Sequence, residues 1–161
     1  MAKRNMRTEG DEILHKTSKK VEVFDFKLGQ LLDDMADTLE QYSGVGLAGV
    51  QVGVLKRVFI LSFEDEVTEF VNPEILERSG SQTGSEGCLS FPGKWGIVTR
   101  PNWVKVRAQN RKGHWFEVEG SELFARAVCH EYDHLDGVVY VDRADRMLTP
   151  EELDDMENEG E

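Results

Sequence analysis

The chemistry in this sequence concentrates in one stretch, Cys129-His130-Glu131-Tyr132-Asp133-His134-Leu135-Asp136-Gly137. On a helix, positions four apart share a face, so His130 and His134 can hold one metal ion between them. Glu131, beside the first imidazole, is placed to take a proton from a water activated there, the H-E-x-x-H arrangement. The chain has 4 histidines in 161 residues, so two of them flanking a glutamate in this spacing stand out from a chance surface helix.

Two imidazoles are too few for a tight catalytic site, which needs a third protein ligand and an open position. One class of such peptidases places a third His where this chain has Tyr140, and a phenol is a poor substitute. Another class uses a downstream Glu, but those here begin at Glu151 with no convincing helix to present them. Cys88, in Glu86-Gly87-Cys88-Leu89-Ser90, is the better candidate. A thiolate is a strong ligand, and with two neutral imidazoles and a divalent ion it leaves a net charge of about +1. Cys129 points roughly 100° around the helix from His130 and reads as a packing residue. His15 and His114 read as surface histidines.

The elements that must position these groups follow from pattern. Ser121 reads as an N-cap and Glu122 as first-turn acid, opening a helix that Gly137 stops. An earlier helix fits from Asp25 to Tyr42, with Leu28, Leu31, Leu32, Met35 and Leu39 on one face. Gly44 to Gly53 holds four glycines among ten residues, which lets backbone approach a ligand closely. No Gly-Lys-Ser/Thr follows, so it is not a phosphate loop. Arg57 to Ser62 and Glu69 to Pro73 read as strands, the second ended by its proline. Gly80 to Gly87 reads as a loop or twisted edge. Trp103 to Gln109 and His114 to Glu119 read as a hairpin about Asn110-Arg111-Lys112-Gly113, and Val138 to Val141 as a last short strand. Strands joined by turns, without regular β-α alternation, predict an α+β fold with mainly antiparallel strands around a central helix carrying the histidines.

Composition bounds the rest. Residues 1–161 read as a single catalytic domain whose acidic end, about 144–161, is solvated and frayed. The net charge of −12 and pI near 4.8 argue against general nucleic-acid binding. A local basic patch remains at Lys3-Arg4 and around Lys16, Lys19 and Lys20. Long apolar runs and a basic-apolar leader are lacking, and with 2 cysteines the expectation is a cytoplasmic protein in a reducing compartment.

Three segments, Gly44-Val45-Gly46-Leu47-Ala48-Gly49-Val50-Gln51, Glu86-Gly87-Cys88-Leu89-Ser90 and His130-Glu131-Tyr132-Asp133-His134-Leu135-Asp136-Gly137, resemble in order the three motifs of peptide deformylases. Gly10-Asp11-Glu12-Ile13-Leu14 resembles that family's N-terminal segment, and the similarity runs from about residue 4 to 143. Gly49 replaces a common Ala, which should loosen its loop. Cys129 stands where Gln is frequent, and the long C-terminal helix of many bacterial members is missing. The resemblance implies a hydrolase in protein biosynthesis and N-terminal processing, removing the N-formyl group from formyl-methionyl peptides and releasing formate. It implies one divalent metal, iron(II) by preference and zinc, nickel or cobalt otherwise, held by Cys88, His130 and His134. Glu131 is the implied base, with the Gln51 amide and the Leu89 N–H as oxyanion donors. A methionine pocket is expected from Val45, Leu123 and Ala127, with Gly44 and Gly46 pairing to the peptide backbone. Asp133 is expected to support the site from behind and Arg126 to reach solvent. The partners expected are formylated peptides at the ribosome, with no membrane, and the protein is expected to act as a monomer.

Overall fold

The computed structural model describes residues 3–159. Helix α1 spans Phe26–Tyr42, as its apolar spacing requires, and the Asp25 carboxylate accepts from Leu28 N at 3.1 Å as its N-cap. It ends at Ser43, whose φ of 53° turns the chain out of the helix. Strands β1 (Gly46–Ala48), β2 (Val58–Phe63), β3 (Glu66–Ser79), β6 (Trp103–Gln109) and β7 (Trp115–Ser121) form one antiparallel sheet in the order β1-β2-β3-β6-β7. Strands β4 (Gln82–Gly87) and β5 (Trp95–Arg100) pair antiparallel with a short β8 (Arg146–Met147) in a second sheet.

Alternation along β2 explains how the large sheet buries both faces. Val58 and Ile60 pack with Leu28, Leu32 and Met35 of α1 in one core. Phe59 and Leu61 turn the other way and join Val104, Val106, Ala125 and Val128 in a second core. The second core is roofed by helix α2, Leu123–Leu135, which carries both histidines. This is the expected α+β arrangement, with the histidine-bearing helix against an antiparallel sheet.

Several local expectations are revised. Strand β3 does not end at Pro73; its pairing with β6 shifts register between Val71 and Glu74, so the missing N–H falls at a bulge. Asn72, at φ 49°, fixes that bulge by accepting from Val21 N at 2.8 Å and donating to Val21 O at 2.9 Å. Ser121 is no N-cap, because it pairs with Trp103 as the end of β7. Glu122 precedes α2 instead, at φ 58° and without a side-chain cap, and its N–H donates to Asn102 O. Val138 to Val141 is not a strand: Tyr140–Arg143 is a short helix, α3, whose Asp142 carboxylate accepts from Val139 N at 3.1 Å. Within the acidic end, Arg146–Met147 form β8 and Pro150–Glu159 helix α4, while residues 160 and 161 lie outside the described residues. Thr149 and Glu152 form a reciprocal capping box there, Glu152 N to Thr149 Oγ1 at 3.2 Å and Thr149 N to Glu152 Oε1 at 3.0 Å. Glu151 nevertheless stays exposed and is no part of the His–Cys cluster described below.

Gly137 does stop α2 as expected. At φ 73° it donates to His134 O, and Val138 N reaches back to Asp133 O at 3.0 Å.

Candidate active site

Three segments converge on one cavity. α2 delivers His130, 7% exposed, and His134, fully buried, with ring centroids 5.0 Å apart. The end of β4 delivers Cys88, whose Sγ lies 3.5 Å from His134 Nε2. One donor atom from each of Cys88, His130 and His134 lies within 4.8 Å of the others. The third segment is β1 with the 3-10 turn Gly49–Val52 behind it, which carries Gln51. Gln51 Oε1 accepts from Ala48 N at 2.9 Å, so its Nε2 must point at Ser90 Oγ, 3.1 Å away, and Cys88 Sγ, 3.6 Å away.

Glycines set how closely these segments meet. A Cβ on Gly46 would lie 2.8 Å from Glu131 Oε2, and one on Gly44 would lie 2.8 Å from Leu89 Cδ1. Gly49 is closely backed by another chain segment. A Cβ there would meet Val54 O and Val58 Cγ2 at 3.1 Å, so the small residue admits the chain that crosses behind it.

Glu131 is 4% exposed, with Oε2 4.0 Å from His130 Nε2 and Oε1 without a hydrogen-bond partner among the described residues. Burial penalises its charge and lifts its carboxyl to about 7, against the opposing pull of His130. A carboxyl poised there can both take and return a proton near neutral pH.

Behind the histidines lies a buried ion network that the sequence did not reveal. His130 Nδ1 donates to Glu86 Oε1 at 2.5 Å, which fixes the tautomer and leaves Nε2 to the cluster. Glu86 also accepts from Arg100 Nη2 and Arg126 Nη1, each at 2.7 Å. Burial opposes its charge, yet the hydrogen bonds from His130 and Arg100 hold its carboxyl far below the usual range. Asp133 accepts from Arg100 Nη1 and Arg143 Nε, each at 2.6 Å, and so supports the site from behind. Arg126 does not reach solvent; it is 8% exposed. Two spacings point to this network: Glu86 sits near the end of β4, two residues before Cys88, and Arg126 sits four before His130 on a helix.

The cavity has a volume of about 700 Å³. Gly44, Val45, Gly46, Gln51, Cys88, Leu89, Leu123, Ala127, His130 and Glu131 all line it, and His134 lies behind them. Cys129 turns into the core beside Ala125 and Val128, and both cysteines are free. His15 and His114 are exposed. One thiolate and two imidazoles, with one ring oriented by a carboxylate, are a donor set that fits a single divalent transition ion.

Comparison with known proteins agrees with this geometry. Residues 3–149 match the family model described as polypeptide deformylase. A peptide deformylase from Lachnoclostridium phytofermentans is 57% identical over 146 residues, covering 89% of this chain and 90% of that protein. The crystal structure of peptide deformylase from Thermotoga maritima superposes with a TM-score of 0.87 at 38% identity, over 89% of this chain and 99% of that one. A Met-Ala-Ser-bound crystal structure of a class I type b peptide deformylase from Acinetobacter baumannii gives 0.85 at 35% identity, over 88% and 98%. With a matching family model along nearly its whole length and relatives of this identity, the chain belongs to the polypeptide deformylase family.

Proposed function

We propose a division of labour for the hydrolysis that this chain, as a member of that family, performs: removal of the N-formyl group from nascent peptides with release of formate. The observation that carries it is the clustering of Cys88, His130 and His134 donor atoms within 4.8 Å, beside buried Glu131 in the cavity wall. Those three residues hold one divalent ion, iron(II) by preference, with zinc, nickel and cobalt compatible with the same donors. When bound, such an ion supplies Lewis acidity, polarising the formyl oxygen and easing ionisation of water.

The chain's own groups do the rest. Glu131 takes the proton of the attacking water and returns it to the leaving amine, a role its raised carboxyl suits. Gln51 Nε2, oriented by the bond from Ala48 N, and the Leu89 N–H donate to the oxyanion as the carbonyl carbon becomes tetrahedral. Strand β1 is an edge of its sheet, so the backbone about Gly44 and Gly46 can pair with an extended peptide. The Acinetobacter relative has been crystallised with Met-Ala-Ser bound. The first side chain enters between Val45, Leu123 and Ala127. We place this work in the cytoplasm, on a monomer meeting peptides at the ribosome. Among the described residues, no helix is long and apolar enough to cross a membrane.

The test is formate release from formyl-Met-Ala-Ser beside its acetyl twin, run anaerobically with iron(II). Formyl is strongly preferred, because an acetyl methyl pushes the carbonyl off donors this closely packed, and about 1 Å of misplacement costs on the order of 10²-fold. Comparable hydrolysis of both peptides overturns the tight-site reading.

A further inference from the structure

A guanidinium is an expensive lining for a pocket that takes an apolar side chain, because an unpaired charge there loses its hydration. Arg126 lines the cavity between Leu123 and Ala127 all the same. Its Nη1 donates to Glu86 Oε2 at 2.7 Å and its Nη2 to Val98 O at 3.2 Å. The other oxygen of that carboxylate accepts from His130 Nδ1. A two-bond relay thus connects the wall of the side-chain pocket to an imidazole of the Cys–His cluster. Local geometry builds it: Arg126 and His130 are four apart on α2, and β4 brings Glu86 against both.

Arg100 grips the same carboxylate, but unequally. It is close to Oε1, at 2.7 Å from Nη2, and farther from Oε2, at 3.2 Å from Nε. Arg126 is therefore the nearer partner of Oε2. Without it, Oε2 keeps only the longer 3.2 Å bond from Arg100 Nε, and the carboxylate that accepts from His130 Nδ1–H is held less firmly. Arg100 is additionally tied to Asp133 and does not line the cavity.

We propose that Arg126 is a positioning residue: by pinning Glu86 Oε2 it holds the His130 ring in the orientation that its ligand role requires. The inference rests on Cys88, His130 and His134 being the metal ligands. It also gives a reason for charge in this wall, since a residue lining the cavity is the one that steadies the ring.

The test compares Arg126→Met, which keeps the stem and removes the charge, with Arg126→Lys, Glu86→Gln and the Arg126→Met/Glu86→Gln double variant. Each is loaded with cobalt(II), and affinity is read by chelator competition together with the visible ligand-field spectrum. Loss of a residue that orients a ligand costs about 10–100-fold in metal affinity or activity. Arg126→Met falls in that range with an altered spectrum. Arg126→Lys loses less, since one ammonium can reach Glu86 but cannot also hold Val98 O. The double variant matches Glu86→Gln alone, because both changes break the same relay. Parent-like cobalt affinity and spectrum in Arg126→Met overturn the proposal, as do fully multiplying losses in the double variant. A raised KM for formyl-Met-Ala-Ser with unchanged cobalt affinity also overturns it, leaving Arg126 a pocket wall only. If Arg126→Met does not fold, as judged by circular dichroism, parent-like affinity in a folded Arg126→Lys overturns it instead. Cys88→Ala is the separate control: if it keeps the parent's cobalt affinity, the ligand assignment has failed, whatever Arg126 does.

Discussion

Helices α1 and α2 pack on opposite faces of the same sheet, yet they bury different things. α1 buries Leu28, Leu31, Leu32, Met35 and Leu39, with Asp34 paired to Arg4 and Thr38 Oγ1 accepting from Arg4 N, and leaves Lys27, Gln30 and Glu40 in water. α2 buries Ala125, Val128 and Leu135, and with them Arg126, His130, Glu131, Asp133 and His134. The first helix is held mainly by transfer of apolar surface out of water, which needs no partner of particular chemistry, beside an Asp34–Arg4 pair at its edge. The second carries groups that each lose hydration and so require a specific partner. Arg126 has Glu86, His130 has Glu86, and Asp133 has Arg100 and Arg143. Glu131 Oε1 and His134 Nδ1 have none among the described residues. A scaffold helix tolerates exchange of one aliphatic residue for another, whereas a functional helix embedded in the same core depends on a network from β4 and β5.

The largest break in this comparison should come from the ligand set. Cys88→Ala, His130→Ala and His134→Ala each lose the metal and all measurable turnover, whereas Cys129→Ala keeps its metal. Elemental analysis of the four purified variants decides; equal metal in Cys88→Ala and parent defeats the assignment.

Next is Glu131→Gln, which should keep metal and peptide binding while losing about 10²–10⁴-fold in turnover. The same change should have the opposite sign on stability. Glu131's carboxyl is raised from 4.5 to about 7 by burial, so ionising it costs the metal-free fold. That cost is absent below the unfolded value, grows as pH rises from about 4.5 to 7 and is complete above that range. At roughly 1.4 kcal/mol per unit, metal-free Glu131→Gln gains a few kcal/mol over the parent at pH 8 and nothing at pH 4. Urea titrations at the two pH values measure it, and an equal difference at both would refute the burial cost.

Leu32→Ala tests the scaffold side. Leu32 is 0% exposed, so its truncation costs about 2–5 kcal/mol of stability. Its kcat on formyl-Met-Ala-Ser at low temperature stays at the parent value. A selective loss of kcat in folded protein would erase the distinction between the two helices.

The smallest effect is expected at the C-terminal cap. Thr149→Ala removes the oxygen that accepts from Glu152 N and costs about 1 kcal/mol of helix stability. Amide exchange over residues 150–156 should quicken with no change in turnover; unchanged exchange would show that the cap contributes nothing.

What the sequence determined by itself was whatever lies within one element or one tight turn. The period of the leucines gave α1, alternation gave the β6–β7 hairpin, and four-residue spacing put His130 and His134 on one side of α2. The Thr149-Pro150-Glu151-Glu152 cap was equally local and could have been read. Three-dimensional structure decided everything that needed a distant partner. Pro73 ends no strand because β3 carries an extra residue there opposite β6, a bulge that needs no N–H from it, and Ser121 caps no helix because Trp103 takes it into a hairpin. Strand β5 carries no strong pattern of its own and is placed by β4 and β8. Arg126 has a side chain long enough for solvent, and the approach of Glu86 and of Val98 O keeps it inside. The physical reason is common to all of them. Helical period and turn chemistry are set by neighbours a few residues away, whereas the partner of a buried charge or a strand edge is chosen by chain segments that only folding brings together.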